Sequence, residues 1–224
     1  MALEKYKQEF IEFLVKSGAL KFGEFTLKSG RKCPYFLNMG QLYKGSATVA
    51  LANAYALALK EKMPEFDTVF GPAYKGIPLC VLAAANLFII HGIDAGYCYN
   101  RKEAKDHGEG GMLVGAPIDK DSKVVIVDDV MTAGTALRES LDLLKTMGSP
   151  KIVGVLIAVD RMEKGKTSKS AALEVKDEFG VDVHSIVTIV EILAYLHNKE
   201  IDGKVYITDA EKAKIEEYRA QYGA

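Results

Sequence analysis

Thirteen residues near the middle of the chain, Val124-Val125-Ile126-Val127-Asp128-Asp129-Val130-Met131-Thr132-Ala133-Gly134-Thr135-Ala136, most restrict how it can fold. Four consecutive aliphatic residues predict a strand buried on both faces, as in a parallel sheet. Two carboxylates follow at its C-terminal end, then small residues, two hydroxyls and one Gly. From Ala136 to Leu144 the apolar residues take helical spacing. A strand, a tight loop and a helix start form an anion site, because loop N–H groups and the helix N-terminus point at one ligand. No Lys follows Gly134, so this is not the nucleotide-binding Gly-Lys-Ser/Thr loop. The acidic pair adds acceptors suited to sugar hydroxyls. Alternatively the pair only ends a strand and caps a helix, but a cap needs one carboxylate and neighbours repel.

With 224 residues, 49% of them hydrophobic and 26% charged, the chain can bury one sizeable core. Net charge is −1, which offers no general attraction to nucleic acid. Cys33, Cys80 and Cys98 are scattered and odd in number, as expected of reduced thiols in a cytoplasmic protein. The start of the chain does not read as a signal peptide. The apolar run 77–90 contains Pro78 and Asn86 and is too short to span a bilayer, so no membrane partner is expected.

Residues 3–15 place Leu3, Tyr6, Phe10, Phe13 and Leu14 on one helical side, with Gly18 as a stop. Two β-like runs, 25–27 and 35–37, flank a basic Gly turn and predict a hairpin ahead of the main alternation. Ser46 is a candidate N-cap for a helix over 47–62. A strand at 67–70 enters Gly71-Pro72-Ala73-Tyr74-Lys75-Gly76, whose glycines and proline enforce a turn, and 77–91 reads as a buried helix. Lys75 in that loop suits a diphosphate, or is simply exposed in a turn.

A strand at 95–100 opens into residues 101–111, which hold three cations, one His and three Gly. So little apolar surface predicts a mobile surface loop, either a solvated charge run or a hinged basic lid. A strand at 152–159 ends in Asp160-Arg161. Arg161 then sits where α/β sheets place ligands and suits a carboxylate, or forms a surface pair with Asp160. A helix at 168–179, a strand at 183–190, a short helix at 191–197 and a polar helix at 209–222 complete the chain. The alternation from about 47 to 190 implies an α/β fold with a central, mostly parallel sheet flanked by helices. No Ser–His or Cys–His pairing is legible. His107 alone lies near a candidate motif, while His91, His184 and His197 fall at element ends or in packing.

The 124–136 stretch resembles the signature of type I phosphoribosyltransferases, which bind 5-phosphoribosyl-1-pyrophosphate (PRPP). Phe25-Thr26-Leu27-Lys28-Ser29-Gly30 with Cys33-Pro34-Tyr35-Phe36 resembles the N-terminal hood of the orotate phosphoribosyltransferases. Tyr99-Asn100-Arg101-Lys102-Glu103-Ala104-Lys105-Asp106-His107-Gly108 resembles their catalytic loop. The resemblance covers almost the whole chain, and its length and fine pattern are most similar to fungal single-function forms. It implies a single domain over 1–224, with the hood at about 20–45, the α/β core at about 46–190 and the mobile catalytic loop at 101–111.

The resemblance further implies transfer of the phosphoribosyl group of PRPP to orotate in pyrimidine biosynthesis, giving orotidine 5'-monophosphate and pyrophosphate, with Mg2+ as cofactor. By resemblance, Asp128 and Asp129 hold the ribose hydroxyls, Thr132, Ala133, Gly134 and Thr135 hold the 5-phosphate, and Val130, Met131 and Ala136 complete the PRPP-binding stretch. Lys28, Tyr74 and Lys75 reach the pyrophosphate. Arg101, Lys102, Lys105 and His107 do so from a loop that closes over the neighbouring subunit of a homodimer. Phe36, Leu37, Thr132 and Arg161 border orotate. Lys105, His107, Asp128 and Asp129 are the implied catalytic residues, and no residue is assigned as a metal ligand. The rival readings are a purine or uracil phosphoribosyltransferase, which should lack the lid and hood, and a non-catalytic PRPP-binding regulator, which usually adds a DNA-binding segment.

Overall fold

The computed structural model describes residues 3–27, 30–105, 111–131 and 134–224, with backbone alone at Ala104 and Lys105. Helix α1 (Lys5–Lys16) precedes a hairpin of β1 (Leu20–Thr26) and β2 (Lys32–Leu37). Helix α2 (Gly45–Lys62), strand β3 (Thr68–Gly71), helix α3 (Gly76–His91) and strands β4 (Gly96–Lys105) and β5 (Gly111–Gly115) follow. Then come β6 (Lys123–Val130), α4 (Thr135–Thr146), β7 (Lys151–Asp160), α5 (Ala171–Phe179), β8 (Val183–Thr188) and α6 (Ile189–Leu196). A small hairpin of β9 (Glu200–Ile201) and β10 (Lys204–Val205) leads to α7 (Asp209–Tyr222).

Six strands form the central sheet in the order β5-β4-β3-β6-β7-β8. All neighbours are parallel except the edge pair β4–β5. Period-2 alternation along β6 divides the interior. Val125 and Val127 join Leu156, Ala158 and residues of α1, α2, α3 and α6 in one core. Val124 and Ile126 join Val155, Ile157 and residues of α4 and α5 in the other. Residues 124–127 are fully buried, at roughly 1.5–3 kcal/mol each. Chain order reverses direction between β3 and β6, since β4 lies to one side of that pair and β7 and β8 to the other. In open α/β sheets the crevice at such a reversal, beyond the strands' C-terminal ends, is where ligands bind.

Several boundaries differ from the sequence reading. Strand β6 continues to Val130, because Asp128 and Val130 pair with Ile157 and Val159 of β7, so both aspartates lie within the strand. Ser46 sits inside α2, whose N-cap position is Lys44 without a side-chain cap. Helix α5 starts at Ala171, capped by the Ser170 side chain accepting from Leu173 N–H, so Ser168 precedes the helix. Ile189 and Val190 belong to α6, where Thr188 and Glu191 form a capping box. The segment read as a loop from 101 is strand at 101–105, and β5, which the sequence reading did not predict, begins at Gly111.

Candidate active site

Two loops meet at the reversal. After β3, the chain turns through residues 72–75 into α3. Here Gly71 and Gly76 approach so closely that a Cβ on Gly71 would fall 2.0 Å from the Gly76 carbonyl oxygen. Asn100 of β4 fixes this turn by accepting the Ala73 N–H through Oδ1 at 2.9 Å. The second loop leaves β6 and enters α4 through Gly134, whose φ of +71° suits glycine. Gly134 stands at the N-cap and offers no side chain to the first-turn N–H groups, so they remain available to an anion.

Consecutive strand residues project to opposite faces, so the two aspartates flank the crevice from different sides. Asp128 lines a cavity of ≈ 300 Å³ with Val130, Met131, Gly134, Thr135 and Ala136. Asp129 turns toward a second, mostly apolar cavity of ≈ 360 Å³ that Lys75, Met39, Leu42 and Leu79 also line. The Asp129 side chain is 8% exposed and takes Lys75 Nζ at 2.6 Å; its Oδ1 also accepts the Val130 N–H at 2.8 Å. Lys75 is therefore paired inside the site rather than idle in a turn. Tyr74 beside it is exposed.

Burial raises the Asp128 pKa to about 6, with the charge of Asp129 adding to the rise, against the Asp129 N–H and Lys75, which lower it. The strand end carrying both carboxylates is held from beneath by Tyr55 of α2, whose buried hydroxyl donates to the Asp128 carbonyl at 2.7 Å. Tyr55 and Asn100 were not singled out in the sequence, because their partners lie 73 and 27 positions away.

At the end of β7, Arg161 does not pair with Asp160, which instead accepts the Met162 N–H at 2.7 Å. Its partner is Glu163, bound through Arg161 Nε at 3.0 Å and Nη2 at 2.7 Å. The hood meets the same place: the Arg161 guanidinium lies 5.2 Å from the centre of the Tyr35 ring. Phe36, the next residue of β2, faces outward, 39% exposed, and stacks on Phe25 at 5.4 Å. Leu37 packs at the edge of the larger core. Arg31, in the hairpin turn, reaches Glu163 at 2.6 Å and lies over the rings of Tyr218 and Tyr222.

Arg101 donates to the carbonyls of Gly111 at 3.1 Å and Leu113 at 3.5 Å, across the β4–β5 pair. Lys102 is exposed. Lys28, His107, Thr132, Ala133 and the Lys105 side chain lie outside the described residues. Among the described residues no group of three His, Cys, Asp or Glu side chains converges on a point that could hold a metal. No helix of the described residues is long and apolar enough to cross a membrane.

Comparison with known proteins agrees with this geometry. The family model for the phosphoribosyl transferase domain matches residues 38–188. An orotate phosphoribosyltransferase of Clostridium acetobutylicum is 50% identical over 222 residues, 99% of each chain. The crystal structure of the orotate phosphoribosyltransferase of Francisella tularensis superposes with a TM-score of 0.82 at 40% identity, covering 96% of this chain and all of that one. A Mycobacterium tuberculosis orotate phosphoribosyltransferase solved in complex with PRPP shares the fold, with a TM-score of 0.62 at 18% identity over 84% of this chain and 98% of that one. Sequence and fold thus agree over the full length, and the chain belongs to the phosphoribosyltransferase family, in its orotate phosphoribosyltransferase branch.

Proposed function

We propose that the protein transfers the phosphoribosyl group of PRPP to orotate, forming orotidine 5'-monophosphate and pyrophosphate in pyrimidine biosynthesis. The observation that carries this reading is the meeting of Lys75 and Asp129 at 2.6 Å, beside a cavity that runs from Asp128 to the start of α4. A ligand with a phosphate at one end, a sugar diol in the middle and a diphosphate at the other matches that order of groups.

In this reading the 5-phosphate rests on residues 132–135 and the first N–H groups of α4. The ribose hydroxyls donate to Asp128 and Asp129, which also place negative charge beside a developing sugar cation. The diphosphate lies toward Tyr74 and Lys75, with Lys28 approaching from the hood. Phe36, Leu37, Thr132 and Arg161 border the base, and the Arg161 guanidinium takes the orotate carboxylate. Orotate nitrogen then attacks the anomeric carbon from the face opposite the departing diphosphate.

Phosphoribosyltransferases generally use Mg2+ with PRPP. Hard oxygen donors suit Mg2+, and two carboxylates are present, one of them engaged by Lys75. This donor set would fit an ion delivered with the substrate and not caged by side chains. Mg2+ neutralises part of the leaving charge when bound.

Segment 101–111 is inferred to act as the catalytic loop. Arg101, Lys102, Lys105 and His107 would serve the leaving diphosphate, closing over the site of a second subunit in a homodimer. The exposed Phe88, Ile89 and Ile90 at the end of α3 offer apolar surface for such pairing. Three free, buried cysteines fit a reducing, cytoplasmic setting, and neither nucleic acid nor membrane is proposed as a partner.

The test is loss of orotate absorbance on mixing protein, PRPP and Mg2+, with adenine, hypoxanthine and uracil in parallel. Turnover confined to orotate supports the reading. Turnover of a purine or uracil instead, or PRPP binding without turnover of any base, overturns it.

A further inference from the structure

Five side-chain N–H and O–H groups converge on Glu163, to which no role has been assigned above. Its side chain is 8% exposed. One oxygen, Oε1, accepts from Arg161 Nε and Nη2, from the Tyr35 hydroxyl at 2.8 Å and from the Tyr218 hydroxyl at 3.0 Å. The other, Oε2, accepts from Arg31 Nη2 at 2.6 Å. These donors come from three places far apart in sequence: the hood hairpin, the end of β7 and the C-terminal helix. The backbone is tied down as well. Lys164 N–H donates to the Tyr222 carbonyl at 3.0 Å, and Ala224 N–H to the Met162 carbonyl at 2.9 Å.

The way Glu163 holds Arg161 leaves a particular part of the guanidinium free for work. An arginine has five N–H donors in a rigid plane. Glu163 occupies the Nε–Nη2 edge, and Cys33 Sγ lies 3.6 Å from Nη2. Tyr35 also lies against the guanidinium, and among the described residues Nη1 donates no hydrogen bond, so that end can meet an incoming acceptor. Charge points the same way. Arg31 and Arg161 bring two positive charges to the one Glu163 carboxylate, so an incoming anion is attracted to the pair. A base that carries its own carboxylate supplies it.

We propose that Glu163 is the positioning residue for base recognition: it clamps one edge of Arg161 so that the opposite end addresses the substrate carboxylate, and it links that orientation to the hood through Arg31 and Tyr35 and to α7 through Tyr218. The inference rests on the reading that Arg161 receives orotate. A guanidinium held on one edge loses less rotamer freedom when it binds, which is the advantage of preorganisation.

The experiment is a double-mutant cycle on the full-length protein, reading KM for orotate and for PRPP separately. Glu163→Gln, which keeps the volume and an acceptor but removes the charge, should raise the orotate KM about tenfold or more while the PRPP KM stays within about twofold. In an Arg161→Ala background the same change should move the orotate KM less than about twofold, because the residue acts through that arginine. Equal rises in both KM values, or an undiminished effect without Arg161, would show a merely structural role and overturn the proposal. If Arg161→Ala leaves the orotate KM unchanged, the base-site assignment falls and the proposal with it, while orotate turnover by the unaltered protein keeps the reaction itself standing. Should Glu163→Gln fail to fold, Tyr218→Phe removes one donor and no charge. It should give the same selective rise at about two- to fivefold, and no rise would count against the proposal.

Discussion

Lys75 and Asp129 are 54 positions apart, yet their side chains meet at 2.6 Å across the point where the chain order in the sheet reverses. In the proposed complex each would serve a different part of the ligand: the ammonium a diphosphate, the carboxylate a sugar hydroxyl. They neutralise each other, so PRPP bound as proposed would have to part or share them. Because the Lys75 side chain is 62% exposed, the pair adds little to stability. Lys75→Ala should therefore lower kcat/KM for PRPP about 100-fold, as for loss of one well-placed donor, with a small change in Tm. Steady-state kinetics beside a thermal melt would check this. A loss below about threefold would mean that Lys75 serves only to neutralise Asp129.

The other aspartate gives a pH signature. Burial, reinforced by Asp129, lifts Asp128 from an ordinary 3.8 to about 6. A carboxyl raised on folding favours the folded state when protonated. That contribution is complete below the unfolded pKa and is lost as pH rises through about 6. Asp128→Asn should therefore be the more stable protein at pH 8, by on the order of 1–3 kcal/mol, and should lose that advantage near pH 4. Under the proposed function binding should run the opposite way, because ribose hydroxyls would donate to the ionised form. PRPP affinity should fall as pH drops below 6, with proton release on binding near pH 6. Isothermal titration in two buffers of different ionisation enthalpy would detect the release. Since PRPP phosphates titrate too, the decisive quantity is the difference from Asp128→Asn.

Much of this site was legible because it is local in sequence. The run 124–136 contains its own strand, turn and helix start, and the 71–76 loop shows its Lys between two glycines. Their meeting was not legible, since it depends on strand order and not on spacing. The same holds for Glu163, whose partner Arg31 is 132 positions away. Helix α7 read as a polar helix; within it Ile215 and Tyr218 are buried, and Tyr218 completes the Glu163 cluster. Strand β5 escaped because Gly111-Met112-Leu113-Val114-Gly115 is short and bounded by glycines. It is a strand because β4 pairs with it, Asn100 against Leu113 and Tyr99 against Val114.

The turn after β3 allows a stability prediction that does not depend on ligand. A methyl group on Gly71 would fall 2.0 Å from the Gly76 carbonyl oxygen and 2.8 Å from Cys80 Sγ. Backbone cannot yield there without moving the start of α3 and, with it, Lys75. Gly71→Ala should cost about 1–3 kcal/mol or more, as overpacking does, and should weaken PRPP binding. Gly45→Ala is the control, because a Cβ there meets nothing within 4 Å. Urea unfolding of both variants would check the contrast, and equal midpoints would show that the turn can relax.

The sharpest test of the proposed assembly uses two inactive proteins. If the 101–111 segment serves the site of a neighbouring subunit, Lys105→Ala removes a residue from the donated loop and Asp129→Asn removes one from the receiving crevice. Each homodimer then carries two defective sites. A mixed dimer has one site with both defects and one with neither, because the intact loop comes from the Asp129→Asn chain and the intact crevice from the Lys105→Ala chain. Random reassortment makes half the dimers mixed, so activity should recover to about a quarter of the unaltered level. Differently tagged chains, co-purified so that only mixed dimers are assayed, should reach about half. Recovery absent from verified mixed dimers would mean that each subunit closes its own loop over its own crevice. In that case the single-chain geometry around Lys75, Asp128 and Asp129 would have to serve the whole reaction.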